Sequence, residues 1–180
     1  LASIGPEHEV IVVDNASVDG SIAQVRAFGE RVKLIASPVN RGFAGGVNLA
    51  ARHATGQTLV LINPDVVVRP GWLQAMAEAL DAPGVGIAGG KGLYPDGRLQ
   101  HAGGYVDPAS GLSIHLGEGE RDGPGYGVLR EVDYVSGFAF ATRRAVWQAL
   151  GGLSEVFFPA YFEEIDYCYR ARRLGWKTVY

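Results

Sequence analysis

The order of segments in the first half of the chain limits its fold more than any other feature of the sequence. Three short apolar runs rich in β-branched residues lie at 9–14, 32–35 and 58–62. Segments of helical character follow them, at 21–28, 42–54 and 70–80. A strand buried on both faces is typically a near-continuous apolar run, and strands that alternate with helices indicate a parallel sheet with helical crossovers. We therefore predict an α/β fold, with a capping box at Ser21–Gln24 opening the first helix and Pro70 opening the third.

The second half of the chain is less regular. It predicts strands at 85–93, 131–142 and 176–180 and helices at 143–150 and 162–174. Between these elements, residues 103–127 are rich in Gly, Pro and Asp, which predicts a long irregular loop. No internal repeat or linker divides the chain, and 180 residues suit a single domain.

The composition excludes several classes of protein. The 16 Lys and Arg residues against 19 Asp and Glu residues give a net charge of −3, whereas proteins that bind nucleic acid usually carry a basic excess. No apolar run is long enough to predict a membrane-spanning helix. The single cysteine, Cys168, excludes an internal disulfide and suits a reducing compartment, so we expect a cytoplasmic protein. The histidines have no metal-ligand spacing.

Polar residues follow each of the first three predicted strands. They are Asp14–Asn15, Asn40–Gly42 and Asn63–Asp65. Ligands of an open parallel sheet bind at the carboxyl ends of its strands, so we expect these segments on one rim. The two aspartates and the glycine-rich helix start at 42–46 suit a phosphate-bearing ligand held with Mg²⁺ or Mn²⁺.

Each of these segments also has a purely structural interpretation. Residues 14–17 suit a turn and helix cap, and 63–65 suit an Asx turn. The glycines at 42–46 suit close packing of a helix on a sheet as well as they suit a ligand. It is the coincidence of all three at one rim that favours a binding site.

An acidic cluster opens the helix predicted at 162–174. Glu163 and Glu164 lie in its first turn, where the helix dipole favours their charged form. Asp166 and Arg170 are four residues apart in the order that favours an ion pair. The cluster suits an ordinary helix start, and it equally suits a carboxylate that takes a proton from an attacking hydroxyl.

Together these segments resemble the inverting glycosyltransferases of family 2, and among them the rhamnosyltransferase-like members. The segments that carry the resemblance are 12–21, 40–48, 63–65, 135–137, 151–153, 163–170 and 175–176. The resemblance implies a GT-A fold, which is an open, mostly parallel, Rossmann-like sheet flanked by helices. The family domain normally has one more strand before the segments seen here and continues beyond Tyr180. We therefore expect residues 1–180 to be one catalytic domain, truncated at both ends and weakly active or inactive alone.

The resemblance also implies roles for individual residues. Asn63–Asp65 is similar to the family's D-x-D element, with Asp65 as the metal ligand. Glu163 and Glu164 occupy the Glu-Asp motif, whose second carboxylate is the catalytic base; here that residue is Glu164, although the longer side chain leaves either glutamate within reach of the acceptor. The residues implied in binding the nucleotide sugar are Asp14, Asn15, Asn40, Gly42, Asn63, Ser136 and Gly137.

The implied reaction is a single displacement that inverts the anomeric carbon. Its donor is a nucleoside-diphosphate sugar and its acceptor a saccharide or lipid-linked saccharide, with Mg²⁺ or Mn²⁺ as cofactor. Lipid-linked acceptors imply peripheral association with the inner face of the membrane. One alternative is a non-catalytic sugar-nucleotide or glycan-binding module, which the replacement of the usual aspartate by Glu164 favours. A nucleotidyltransferase is a third, but the basic glycine-rich loop that it needs is not seen.

Overall fold

A computed structural model describes residues 3–180 of the chain. The helices are α1 (Ser21–Arg26), α2 (Gly42–His53), α3 (Trp72–Asp81), α4 (Arg144–Leu150) and α5 (Glu163–Arg173). The strands are β1 (Ile11–Asn15), β2 (Lys33–Ser37), β3 (Thr58–Ile62), β4 (Val85–Gly89), β5 (Gly92–Leu93), β6 (Leu99–His101), β7 (Gly104–Val106), β8 (Ser113–His115), β9 (Ala139–Arg143) and β10 (Lys177–Val179). The predicted alternation of strands and helices in the first half is confirmed.

The strands form a mixed arrangement. β1 and β2 make a parallel pair, and a separate sheet has the order β10-β4-β9-β3. In that sheet β10 is parallel to β4, while β9 is antiparallel to both of its neighbours. The α/β class is confirmed, but the pairing is not mostly parallel, because β9 returns between β3 and β4. Within residues 3–180, β1 and β3 each have one strand neighbour, so the expected single rim is divided between two sheets.

Several predicted boundaries are wrong. The strand predicted at 131–142 is confined to β9, since residues 131–138 contribute only isolated bridges such as Gly104–Tyr134. The strand predicted at 85–93 is divided into β4, which ends at Gly89, and β5, because residues 92–93 pair with β6 in a different sheet. The irregular region 103–127 contains the antiparallel pair β7–β8.

The predicted caps of two helices are also wrong. The capping residue of α1 is Gly20, with no side-chain cap. Instead of a capping box, the Asp19 carboxylate accepts the amide hydrogen of Ser21 at 2.9 Å. Gly71 precedes α3, so Pro70 lies just before the helix. Asp19 thus accepts the Ser21 amide that the Gln24 side chain would take in a capping box, and the Gln24 amide donates to the carbonyl oxygen of Gly20.

Two apolar clusters lie on opposite faces of the four-stranded sheet. Ile87 and Phe140 belong to one cluster, together with residues of α2, α4 and α5. Ala88 and Ala141 belong to the other, which α3 covers with Met76 and Leu80. Adjacent strand residues face opposite sides of a sheet, so this division follows directly from the pleat. It places α2 and α5 on the same face.

Within residues 3–180, no helix combines the length and the apolar character that crossing a bilayer requires.

Candidate active site

The side chain of Asn15 joins the end of β1 to the start of α2. Its Nδ2 donates hydrogen bonds to Asn40 Oδ1 and to the carbonyl oxygen of Gly42, both at 3.0 Å. Its Oδ1 accepts the amide hydrogen of Arg41 at 2.8 Å. The structure therefore brings together Asn15, Asn40 and Gly42, as the sequence predicts. Much of the hydrogen-bonding capacity of both asparagines is used to hold the backbone.

Asp14 precedes Asn15 and is buried, with 7% of its surface exposed. Its Oδ2 accepts the amide hydrogen of Ser17 at 3.2 Å, which matches the turn interpretation of residues 14–17. The other carboxylate oxygen has no hydrogen bond to any residue in 3–180. It is therefore free to receive a donor group from a ligand.

Close packing explains the glycine that opens α2. Gly42 has a φ of +68°, and a Cβ at this position would lie 2.6 Å from the carbonyl oxygen of Pro159. That same oxygen accepts the amide hydrogen of Phe43 at 2.8 Å, and Asn40 Oδ1 accepts that of Gly42 at 2.9 Å. Two amides of the first turn are thus occupied by the chain itself, which leaves fewer for a phosphate.

Asp65 lies at the exposed apex of a turn after β3. The amide of Val66 donates to the carbonyl oxygen of Asn63 at 3.2 Å and closes the turn. Within residues 3–180, the Asp65 carboxylate has no hydrogen bond or ion pair, and no group of three potential ligands is assembled for a metal. Mg²⁺ in nucleotide sites is usually held by one or two carboxylates together with phosphate oxygens. Asp65 fits that kind of site, which would be completed by a bound diphosphate.

Gly137 lies close to three of the segments that carry candidate residues, which are the start of α2, the end of β3 and the start of α5. The carbonyl oxygen of its neighbour Phe138 accepts the amide hydrogen of Asn63 at 3.0 Å. This bond forms because β9 pairs with β3. A Cβ on Gly137 would lie 3.1 Å from the Phe43 ring and 4.0 Å from Cδ of Glu164. β9 was predicted as part of a strand, but its antiparallel direction was not, and this direction brings the end of β3 close to the start of α5.

Glu164 is half-buried, and burial raises its pKa above the usual value. Its own amide hydrogen lowers the pKa, the charge of Glu163 raises it, and the amide of Gly137 lowers it. Burial outweighs the two amides, so the net shift is upward. A carboxylate with a raised pKa is a stronger base, and it stays partly accessible here.

Glu163 is in a different environment from its neighbour. Only 2% of its surface is exposed, and its Oε2 has no partner among the described residues. An acceptor hydroxyl can reach the half-buried Glu164 more readily. The burial pattern thus favours Glu164 over Glu163 as the proton acceptor.

An ion pair fixes the helix that carries both glutamates. Arg170 Nε donates to Asp166 Oδ2 at 2.7 Å, so the predicted pair is confirmed. The two Nη atoms of Arg170 donate to the carbonyl oxygens of Leu150 and Gly152 at 2.8 and 2.9 Å. These bonds tie α5 to the end of α4. The position of Glu164 is therefore set by contacts along the whole helix.

Two residues near the site were missed by the sequence analysis. His101 Nε2 accepts the amide hydrogen of Ser136 at 3.1 Å, directly beside Gly137. Asn48 bonds to Leu153 from the buried face of α2. The only signal for Asn48 is a polar residue within an apolar helix face, and no spacing pattern marks His101.

The comparisons with known proteins agree with this geometry. The family model described as glycosyl transferase family 2 matches residues 1–147. An uncharacterized protein of Sinorhizobium fredii, y4gI, is 33% identical over 96% of this chain and 20% of its own length. The N-acetylglucosaminyl-diphospho-decaprenol L-rhamnosyltransferase of Mycobacterium tuberculosis is 25% identical over 95% of this chain and 63% of its own length.

The fold has a counterpart among solved structures. A mannosyltransferase from Pyrobaculum calidifontis, in complex with GDP-Man and Mn²⁺, aligns with a TM-score of 0.67 and 23% identity. The alignment covers 94% of this chain and 44% of that one. It confirms the GT-A fold that the resemblance implied. The chain spans less than two thirds of the length of each of these three proteins.

Proposed function

The chain belongs to glycosyl transferase family 2, and we propose that it is the catalytic domain of an inverting transferase. The donor is a nucleoside-diphosphate sugar and the acceptor a hydroxyl of a glycan or lipid-linked saccharide. The observation that carries the proposal is the half-buried Glu164 carboxylate beside Gly137, with its raised pKa. A general base needs this combination of partial access and raised basicity.

Glu164 takes the proton from the acceptor hydroxyl as that oxygen attacks the anomeric carbon. The bond from the anomeric carbon to the diphosphate oxygen breaks on the opposite face, so the configuration inverts. Glu163, which is buried behind it, acts through its charge, because that charge raises the pKa of Glu164.

Asp65 is proposed to hold Mg²⁺ or Mn²⁺ through its exposed, unpaired carboxylate. A bound ion supplies positive charge that stabilises the departing diphosphate. The mannosyltransferase structure with GDP-Man and Mn²⁺ supports a divalent ion in this fold.

The nucleotide sugar is proposed to lie between the ends of β1 and β3. Asp14 offers its free carboxylate oxygen to donor groups of the nucleotide. Asn15 and Asn40 shape this edge by holding the start of α2 at Gly42. We assign the remaining contacts to Asn63, Ser136 and Gly137, and the support is the short distance between Gly137 and Glu164.

The acceptor is proposed to be a lipid-linked saccharide, with the protein at the cytoplasmic face of the membrane. The support is the rhamnosyltransferase relative, whose name specifies a decaprenol-linked acceptor. Such an acceptor requires only that the open side of the site approach the membrane surface.

The proposal is tested by ligand-dependent stability and by turnover of the complete protein. One of UDP, dTDP and GDP should raise the melting temperature in the presence of Mn²⁺, since a ligand at about 100 times its Kd adds roughly 2.7 kcal/mol. The matching sugar nucleotide should then be consumed by the wild type and by Glu30→Gln, a control at an exposed position. Glu164→Gln should bind the nucleotide without turnover. Nucleotide binding without any turnover in the wild type would favour the non-catalytic binding module.

A further inference from the structure

A pair of histidines, His101 and His115, lies beside Ser136, the neighbour of Gly137. His101 is fully buried, with 0% exposure, and its Nδ1 is 3.1 Å from Nδ1 of His115. The rings of Tyr134 and Phe138 pack against His101, at centroid distances of 5.8 and 6.0 Å. The β7–β8 pair, within the region predicted as a loop, delivers His115 to this position. No step of the proposed reaction uses either histidine.

The hydrogen bonds determine which nitrogens carry hydrogen. The amide of Ser136 can only donate, so Nε2 of His101, at 3.1 Å, must be an acceptor without hydrogen. A neutral imidazole then carries its hydrogen on Nδ1. That hydrogen is donated to Nδ1 of His115, whose own hydrogen must be on Nε2. The two histidines thus form an ordered chain of hydrogen bonds. It runs from the Ser136 amide, as the first donor, through His101 to His115.

His101 keeps its accepting role over the working pH range. Burial, and then the charge of His115, lower the pKa of His101 to about 3. Tyr134 also packs against the ring, and burial raises its pKa to about 12. Neither His101 nor Tyr134 changes its charge near neutral pH, so Nε2 of His101 stays an acceptor for the Ser136 amide under conditions in which the enzyme would act.

We propose that His101 is a positioning residue for the transfer reaction, which holds the Ser136–Gly137 backbone so that the Gly137 amide stays beside the Glu164 carboxylate. His115 supports this role because it fixes the tautomer of His101. The inference rests on the proposed role of Glu164 as the base. It adds that two side chains that do not touch the substrate position one of the amides that influence the basicity of Glu164.

The variant His101→Phe tests the inference, because it keeps a ring in the cavity but removes the acceptor for Ser136. Without that bond the Gly137 amide is free to move away from Glu164. An amide hydrogen that favours the charged carboxylate is then lost, so the pKa of Glu164 should rise further. The titration of the Glu164 side-chain carbonyl carbon by NMR measures this directly, with the resonance assigned by its loss in Glu164→Gln.

The kinetic signature is a shift of the acid limb of kcat/KM to higher pH in His101→Phe. We expect kcat to fall about tenfold, as for the loss of one ordinary hydrogen bond. His101→Gln retains an acceptor and should restore most of the wild-type profile. His53→Gln, at an exposed position on α2, is the matched control and should leave every value unchanged.

Two outcomes separate this inference from the proposed function. A folded His101→Phe protein with an unshifted Glu164 titration overturns the positioning role, whatever its activity. If the Glu164 titration shifts in His101→Phe but the wild type transfers no sugar, the coupling between His101 and Glu164 is supported. The assignment of Glu164 as the base is then overturned. If His101→Phe does not fold, His115→Phe replaces it, because loss of the Nδ1 acceptor should shift the titration in the same direction; no shift there overturns the inference.

Discussion

Asn48 and Leu153 exchange two hydrogen bonds across the buried face of α2. Asn48 Nδ2 donates to the carbonyl oxygen of Leu153 at 2.9 Å, and the Leu153 amide donates to Asn48 Oδ1 at 3.0 Å. The same Nδ2 also donates to Glu155 Oε1 at 2.9 Å. This arrangement attaches the segment that leads to Glu163 and Glu164 to the helix that borders the proposed nucleotide site.

Asn48→Ala should destabilise the protein by about 1–3 kcal/mol, because it leaves the buried amide and carbonyl of Leu153 without partners. Asn48 is 9% exposed, so water does not easily replace the lost side chain. Chemical denaturation of the variant measures the change. Arg52→Ala, at an exposed position on the same helix, is the control and should change stability by less than about 0.5 kcal/mol. Equal stability of the two variants would contradict this account of Asn48.

Glu164→Gln should reduce the transfer rate by about 10²–10⁴-fold, the usual contribution of a general base. Nucleotide affinity should not change, since the two side chains have the same shape. The initial rate of sugar transfer and a binding isotherm measure the two effects. An active Glu164→Gln protein, with Glu163→Gln inactive, would transfer the role to Glu163.

The stability of the wild type should respond to pH through Glu164. Its folded-state pKa is raised by burial, so folding favours the protonated form. The stability that the protonated form contributes is complete below the unfolded pKa and is lost as the pH rises through the folded pKa. Glutamine does not ionise, so Glu164→Gln does not lose this stability as the pH rises. The variant should therefore be more stable than the wild type at pH 8 and nearly equal to it in acid. Thermal melts over this pH range check the sign; a variant that is less stable at pH 8 would contradict it.

Asp65→Asn should abolish the part of nucleotide stabilisation that depends on Mn²⁺. The amide keeps the shape of the side chain but removes the charge that a divalent ion needs. The measurement is the melting temperature with nucleotide, before and after addition of Mn²⁺. Asp81→Asn, at the exposed end of α3, is the control. Equal Mn²⁺ responses in both variants would exclude Asp65 as a ligand.

Gly42→Ala should cost more stability than Gly29→Ala. Both glycines have positive φ, +68° and +56°, so each alanine incurs about 1–2 kcal/mol of backbone strain. Only the Cβ at 42 meets another atom, the carbonyl oxygen of Pro159 at 2.6 Å, while nothing lies within 4 Å of a Cβ at 29. Denaturation of the two variants isolates the packing contribution, and equal losses would show that strain alone requires glycine at 42.

The sequence predicted the parts of the site that depend on local patterns. The strand–helix order, the polar residues at strand ends and the Asp166–Arg170 pair follow from periodicity and from spacing along one helix. The alternatives for Gly42 could not be separated from the sequence, because the atom that excludes a side chain belongs to Pro159, more than a hundred positions later.

Features that depend on contacts between distant segments were not predictable. A short apolar run does not reveal the direction of its neighbours, so the antiparallel placement of β9 between β3 and β4 was missed. The capping box at Ser21 was wrong because Asp19 competes for the same amide. The His101–His115 contact requires the β7–β8 pair, which forms in a segment without hydrophobic alternation.

The bond between Asn48 and Leu153 also affects the order of events during synthesis. The two residues are separated by 105 positions, so at roughly 5–20 residues per second the ribosome adds the second about 5–20 s after the first. Throughout that interval the part of α2 that contacts Leu153 is unprotected in the nascent chain. Chaperone binding to stalled nascent chains should therefore be strongest before Leu153 emerges from the exit tunnel and should fall once it has emerged.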